Sequence, residues 1–280
     1  MRILVTGAGG QVGGFVARAV EGDHEVLAAD HASFDLADPD RVQQVVGEFA
    51  PDAIVNCAAV TDVDSCERDP ERAYAVNTSG VRTLSIAAAR TGAHLVHVST
   101  DYVFDGHGDR PYHEWDDTAP LSVYGRSKLG GEIEVASHAQ SWTIVRSSWI
   151  FGRRGQDIVS WVLDTFARGE LHGVIDDQRS KPTYAPDLAT MLARLAIDRR
   201  AGLYHVVNQG DASRYELARA ALELSGLDPS GVTPMSGADL VRPAARPAYS
   251  VLDDLAVRLA GMPRLRPWPD ALAEYLEIDR

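Results

Sequence analysis

Arg2-Ile-Leu-Val-Thr-Gly7-Ala-Gly-Gly10-Gln-Val-Gly13 is the stretch whose reading decides the fold. Ile3–Thr6 is apolar or β-branched throughout, which predicts a buried strand. Three glycines follow at G-x-x-G-x-x-G spacing and open a helix expected over Gln11–Val20. Gly7 permits the tight turn, Gly10 lets backbone N–H groups approach a pyrophosphate, and Gly13 lets the helix pack on the strand. Asp30 ends the next strand about 20 residues on, where an acid that binds ribose hydroxyls belongs. No Gly-Lys-Ser or Gly-Lys-Thr follows, so the loop is not a P-loop. It reads as a cradle for a dinucleotide.

Outward from the cradle, short apolar runs alternate with amphipathic stretches. Strands are expected at Glu25–Ala29, Ala53–Asn56, Leu95–Ser99 and Thr143–Arg146, and helices at Arg41–Phe49, Pro70–Thr91 and Tyr124–Ala136. Apolar strands without alternation, set between helices, require a sheet covered on both faces. The fold class is α/β, a doubly wound parallel sheet of Rossmann type. After Trp149 the rhythm loosens. Helices are expected at Ile158–Arg168, Asp187–Asp198 and Tyr215–Ser225, a strand at Leu203–Asn208, and Pro clusters from Pro229 to Pro269. Residues 1–149 read as the dinucleotide-binding domain. Residues 150–280 read as a smaller C-terminal substrate-binding lobe, with about 185–207 returning to the first domain.

The chain of 280 residues is long enough to bury a core without staples. Its net charge of −13 repels phosphate backbones, which argues against nucleic acid as a partner. Cys57 and Cys66 form neither a disulfide framework nor a CxxC pair. No run approaches the ~20 apolar residues of a membrane span, and the N-terminus runs straight into a strand, so the expected location is cytoplasmic. His94 and His97 fall on opposite faces of one strand and make poor joint metal ligands. No metal is expected.

The chemistry sits at two places. Ser99-Thr100-Asp101-Tyr102-Val103-Phe104 follows the fourth strand, at the carboxyl edge where open α/β sheets bind ligands. Tyr124-Gly-Arg-Ser-Lys128 places a phenol and an ammonium four residues apart, on one helix face. A nearby cation brings a phenol of pKa ~10 closer to working pH, and proton delivery to a carbonyl oxygen needs such a group. Thr100 is expected to add a hydroxyl hydrogen bond to that oxygen. Asp30 repels a 2′-phosphate, and His31-Ala-Ser33 offers no Arg to offset it, so NADH is preferred over NADPH.

Taken together these motifs resemble an extended short-chain dehydrogenase/reductase, and within it the dTDP-4-dehydrorhamnose reductase family. Gly10-Gln-Val-Gly13, Asp52–Ala59, Ser99–Phe104, Pro120–Gly125 and Lys128 carry the resemblance in the first half. Arg146–Trp149, Asp176–Gln178, Pro182-Thr183, Gly202–His205 and Ala245–Pro247 continue it. It implies that Gly10, Gln11 and Val12 touch the pyrophosphate, Asp35 and Leu36 the adenine side, and Ala59, Val60 and Thr61 the nicotinamide side. Tyr124 would be the proton donor, Lys128 its partner and Thr100 the third member, while Asn77 would support a proton relay. Thr100, Asp101 and Trp149 would contact the sugar, with Val63 beside it. The implied partner is a dTDP-sugar, bound by a monomer or homodimer.

Two departures stand out. Phe15 occupies the place where some family members carry an acid for a divalent cation at a dimer interface. Gly155-Gln-Asp-Ile158 differs from the family's usual Asn-Phe pattern. The implied activity is reduction of the C4 ketone of a dTDP-4-dehydro-6-deoxyhexose. One alternative is a sugar-nucleotide epimerase or dehydratase of the same fold; a dehydratase usually carries Glu where Tyr102 stands. Another is a non-catalytic NAD(P)-binding regulatory subunit, against which the intact Thr100, Tyr124 and Lys128 set speaks.

Overall fold

Six parallel strands carry the site. They are β1 (Arg2–Thr6), β2 (Glu25–Ala29), β3 (Ala53–Asn56), β4 (His94–Thr100), β5 (Trp142–Ser147) and an edge strand, Gly202–His205. Across the sheet the order is edge strand, β5, β4, β3, β1, β2. The winding reverses between β1 and β3, and such a switch point opens a crevice at the carboxyl ends of the strands. The computed structural model describes residues 1–152 and 157–278. Gly155 and Gln156 of the departing stretch lie outside the described residues.

Alternate residues of β1 point to opposite faces, and both faces are covered. Ile3 and Val5 pack with Val16 of α1 (Gly13–Val20) and with Leu188 and Leu192 of the helix Ala185–Ile197. Leu4 packs with Val42 of α2 (Pro39–Phe49) and with Leu84 on the other side. Full burial of each such side chain stabilises the fold by roughly 1.5–3 kcal/mol. This two-sided burial is why the strands lack alternation. The helix Ala185–Ile197 and the edge strand sit on the main sheet, although the chain reaches them after Trp149.

The expected helix over Pro70–Thr91 is broken into pieces. α3 (Val63–Arg68), not foreseen, starts after Asp62, whose carboxylate accepts the Ser65 N–H at 2.5 Å. α4 (Pro70–Tyr74) leads into a π-helical turn, Ala75–Gly80, and then α5 (Val81–Thr91). Asn77 lies in that turn, its side chain tied to both backbone groups of Val60 at 2.9 and 3.0 Å and to Ser127 at 3.0 Å. Helix periodicity cannot encode a widened turn that side-chain bonds from elsewhere impose. α6 (Val123–His138) is capped by Ser122, whose hydroxyl accepts the Gly125 N–H at 3.1 Å.

Beyond β5 a smaller core forms around Phe151, Tyr184, Leu217 and Tyr275. Helix Arg214–Leu224 begins with a capping box of Ser213 and Glu216. Arg179–Ser180 pairs antiparallel with Ala212–Ser213 and also bonds the segment around Ser250 through backbone groups.

Candidate active site

Two adjoining cavities lie over the carboxyl ends of the strands. The first, about 570 Å3, is lined by Gly7, Gly10, Asp30, Asp35, Leu36, Ala59 and Val60. The second, about 490 Å3, is lined by Gln11, Val12, Thr61, Thr100, Asp101, Tyr124, Lys128 and Trp149. Gly10, Cys57 and Ala59 belong to both walls, so the two form one groove.

The glycine turn is built for close approach. Gly7 has φ +67°, and a Cβ there would lie 2.7 Å from the Ala58 nitrogen. A Cβ on Gly13 would collide with the Gly7 carbonyl oxygen. These contacts draw the start of α1 onto β1 and β3, which presents its free N–H groups to the groove. Helix α1 starts at Gly13 rather than Gln11; Gln11 instead donates to the Ile150 carbonyl at 3.0 Å. The turn and both cavities fit an extended dinucleotide.

At the far end Asp30 accepts from the Ser33 hydroxyl at 2.7 Å and its N–H at 2.9 Å. Those bonds hold its carboxyl below the ordinary value, so it stays anionic. Asp35, although burial pushes it up, is held low by the Ala37 N–H and by Arg72 at 3.4 Å. Arg72, the arginine on this cavity's wall, is therefore already engaged.

Tyr124 sits in the first turn of α6, edge-on to Tyr102 with ring centres 5.7 Å apart. Burial pushes its phenol up, and the Thr100 hydroxyl lies within hydrogen-bond reach of it. Lys128 lies one turn on, and its Nζ donates to the Val98 carbonyl at 2.6 Å. Burial pushes this ammonium down to about 8, and Glu132 acts against that. Glu132 is itself buried and paired with Arg146 at 2.6 Å. The ammonium's field falls on the Cys57 thiol and on His97. The expected lowering of the phenol by Lys128 is thus replaced by a phenol kept protonated. Neutral phenol is the form a proton donor requires.

Asp101 is buried at the wall of the second cavity, and its carboxylate is taken up by hydroxyls. Its Oδ1 accepts from Thr100, and its Oδ2 from Ser180 at 3.1 Å and Ser250 at 2.5 Å. Trp149 is half-buried on the groove wall with φ +40°. A bulky residue in the left-handed region costs about 1–3 kcal/mol, and such strain clusters at ligand sites.

Three arginines escaped the reading of the sequence. Arg214 stacks on Trp149 at 4.4 Å and faces the Tyr102 phenol, and its buried Nε has no partner among the described residues. Arg246 pairs with Asp64 at 2.6 Å. Arg242 is pushed down by burial and then by Arg246 and Arg214, and has no ion pair among the described residues. Arg214 opens the helix Arg214–Leu224, whereas Arg242 and Arg246 lie four residues apart and share the wall of a neighbouring cavity. Of the three only Arg246 falls within a stretch that carries the family resemblance, and none was given a role from sequence.

Several expected residues stand apart. Asn77 bonds Val60 and Ser127 and lines neither cavity. Val63 opens α3 and lines neither cavity. Phe15 packs against the core beneath Arg18, at 4.5 Å. His94 bonds Ser141 and Thr143, and His97 bonds Asn56. Among the described residues no three His, Cys, Asp or Glu side chains cluster to hold a metal, and no helix is long and apolar enough to cross a membrane.

A family model described as the RmlD substrate binding domain matches residues 1–280. The dTDP-4-dehydrorhamnose reductase of Mycobacterium tuberculosis (strain ATCC 25618 / H37Rv) is 43% identical over 285 aligned residues, covering 98% of this chain and 92% of its own. Spore coat polysaccharide biosynthesis protein SpsK of Bacillus subtilis (strain 168) is 39% identical, covering 99% and 97%. The crystal structure of dTDP-4-dehydrorhamnose reductase from Bacillus anthracis str. Ames in complex with NADP superposes with a TM-score of 0.94. Its identity is 33%, with 100% of this chain and 99% of that one covered. UDP-glucose 4-epimerase of Thermus thermophilus shares the fold, with a TM-score of 0.86 at 22% identity, covering 99% of this chain and 98% of that one.

Proposed function

We propose, from the premise that the chain belongs to the RmlD substrate binding domain family, that it reduces the C4 ketone of a dTDP-4-dehydro-6-deoxyhexose. The substrate is dTDP-4-dehydro-L-rhamnose and the product dTDP-L-rhamnose. The observation that carries this reading is one groove holding a dinucleotide cradle at one end and Thr100, Tyr124 and Lys128 at the other. A bound nicotinamide dinucleotide supplies the hydride.

The chain's residues do the rest. Tyr124, kept neutral by burial, gives its phenolic proton to the oxygen that becomes the C4 alcohol. Lys128 commits one of its three N–H donors to Val98, and the others would hold the ribose hydroxyls of a bound dinucleotide. Arg214, Arg242 and Arg246 offer a local cationic wall for the diphosphate of the sugar nucleotide, which the net charge of −13 otherwise repels. Trp149 and Arg214 close the groove over the sugar. A dehydratase needs a carboxylate base beside Asp101; Tyr102 stands there, buried against Arg214.

Asp30 gives NADH the advantage over NADPH, because its carboxylate accepts ribose hydroxyls and repels a 2′-phosphate. The substrate lobe comprises residues 150–280, without the segment at about 185–207. The enzyme works in the cytoplasm as a monomer or homodimer. Loss of absorbance at 340 nm on mixing the protein, NADH or NADPH and dTDP-4-dehydro-L-rhamnose tests the assignment. No turnover with either cofactor would refute it.

A further inference from the structure

We infer that Ser180 and Ser250 are positioning residues for the reduction: they hold the Asp101 carboxylate so that it takes the Thr100 hydroxyl proton, leaving Thr100 to the active site as an acceptor. This rests on the reductase reading above, and it reverses the role expected of Thr100 from sequence.

A threonine hydroxyl has one proton and two lone pairs. The Thr100 proton goes to Asp101 Oδ1 at 3.1 Å, and one lone pair takes the Tyr102 N–H at 3.2 Å. What remains toward the groove is a single lone pair. Thr100 therefore accepts the Tyr124 phenolic hydrogen and sets its direction before substrate arrives. It has no proton left to give to the ketone oxygen.

That polarity depends on Asp101 staying ionised. The only donors to its Oδ2 among the described residues are Ser180 and Ser250. Burial pushes the carboxyl up to about 6, while Ser250, Ser180 and Thr100 in that order pull it down. The titratable groups facing it are the phenols of Tyr102, on the same turn, and Tyr124, on α6; both feel its charge. Arg179, next to Ser180, is turned to Asp211 at 2.8 Å and Glu216 at 3.1 Å, and Tyr249, next to Ser250, feels Asp211, Arg179 and Asp109. Asp101 has no ion pair among the described residues. Without the two serines the carboxyl holds its proton at neutral pH and becomes a donor. Thr100 then turns its own proton toward Tyr124.

The two serines are 79 and 149 residues away from Asp101 in the chain, on segments bound to one another. The Ser180 hydroxyl shares its single proton between Asp101 and the Ser250 carbonyl, at 3.1 and 3.2 Å, so Ser250 is the full donor of the pair, and the Ser250 N–H donates to the Arg179 carbonyl at 2.9 Å. The C-terminal half thus fixes a hydroxyl dipole in the catalytic cavity.

The test is a mutant cycle of the Ser180→Ala/Ser250→Ala pair against Thr100→Val, with dTDP-4-dehydro-L-rhamnose as substrate. In wild-type background the serine pair should lower kcat about tenfold, with KM and cofactor Kd within about twofold, and move the acid limb of kcat up by about one pH unit. In Thr100→Val background the serine substitutions should have no further effect, while with Thr100 intact Ser250→Thr, which keeps the hydroxyl, should leave kcat near that of wild type. If the two losses multiply, or if kcat and its acid limb stay put, the inference fails. Should the double variant not fold, Ser180→Ala alone and Ser250→Thr make the same comparison. A neutron crystal structure reads the point without turnover, so its outcome is separate from the reductase assay. The Thr100 deuteron between Oγ1 and Asp101 Oδ1 supports the inference; one aimed at Tyr124 overturns it.

Discussion

The Lys128 ammonium donates to the Val98 carbonyl at 2.6 Å, one helical turn from the Tyr124 phenol but bonded to the strand. Helix α6 thereby brings a buried cation into the cavity wall without neutralising it. Burial pushes that cation down to about 8. The charged form exists below this pH and is lost as pH rises through it, so kcat/KM should fall about tenfold per unit above pH 8. Lys128→Arg keeps its charge far higher and should move the limb out of range in whatever activity remains. A pH profile of both proteins checks the assignment.

Tyr124→Phe should lower kcat by about 10²–10⁴ with cofactor Kd nearly unchanged, because the ring still packs on Tyr102 while the proton donor is gone. Stopped-flow measurement of the reduction step reads this directly. Wild-type kcat in the variant would show that the proton comes from elsewhere.

Asp30→Ala should shift the ratio of kcat/KM for NADH over NADPH toward NADPH by about 5–150-fold, which corresponds to roughly 1–3 kcal/mol. The Ser33 bonds that now hold the carboxylate in place are lost with it. An unmoved ratio would mean that Asp30 does not read the ribose.

Asp101→Asn should stabilise the fold at pH 8 and cost activity. The carboxyl is raised in the folded chain to about 6 from 3.8. Above pH 6 the fold carries a buried charge that the unfolded chain holds in water, a destabilisation of about 3 kcal/mol at most. Below about pH 4 both states are protonated and the term vanishes. Urea melts should show a gain of about 1–3 kcal/mol at pH 8 that is absent at pH 4.

The glycine turn, the strands and the Tyr124 to Lys128 spacing were readable because each is local: a few consecutive residues contain the whole signal. Glu25–Ala29 and Ala53–Asn56 even match to the residue. Arg214, Arg242, Ser180 and Ser250 were not readable, since their meaning lies in what folding brings beside them. Lys128 was read half correctly. Its helix face follows from periodicity, but the Val98 carbonyl that accepts its hydrogen bond follows from how α6 crosses β4.

The π turn at Ala75–Gly80 also bears on insertions and deletions. Such a turn holds one residue more than a regular helix ladder accommodates. Deleting one residue within it should restore an ordinary helix, and the chain would remain able to fold locally. The flanking helices would keep their register, since the widened turn is what absorbs the extra residue, and the change would fall on the turn itself. Asn77 would swing off Val60, and the loop that forms the groove's middle wall would lose its tether. Loss of one codon here is therefore a local error in three dimensions: harmless to helix content by circular dichroism, yet expected to abolish dinucleotide binding.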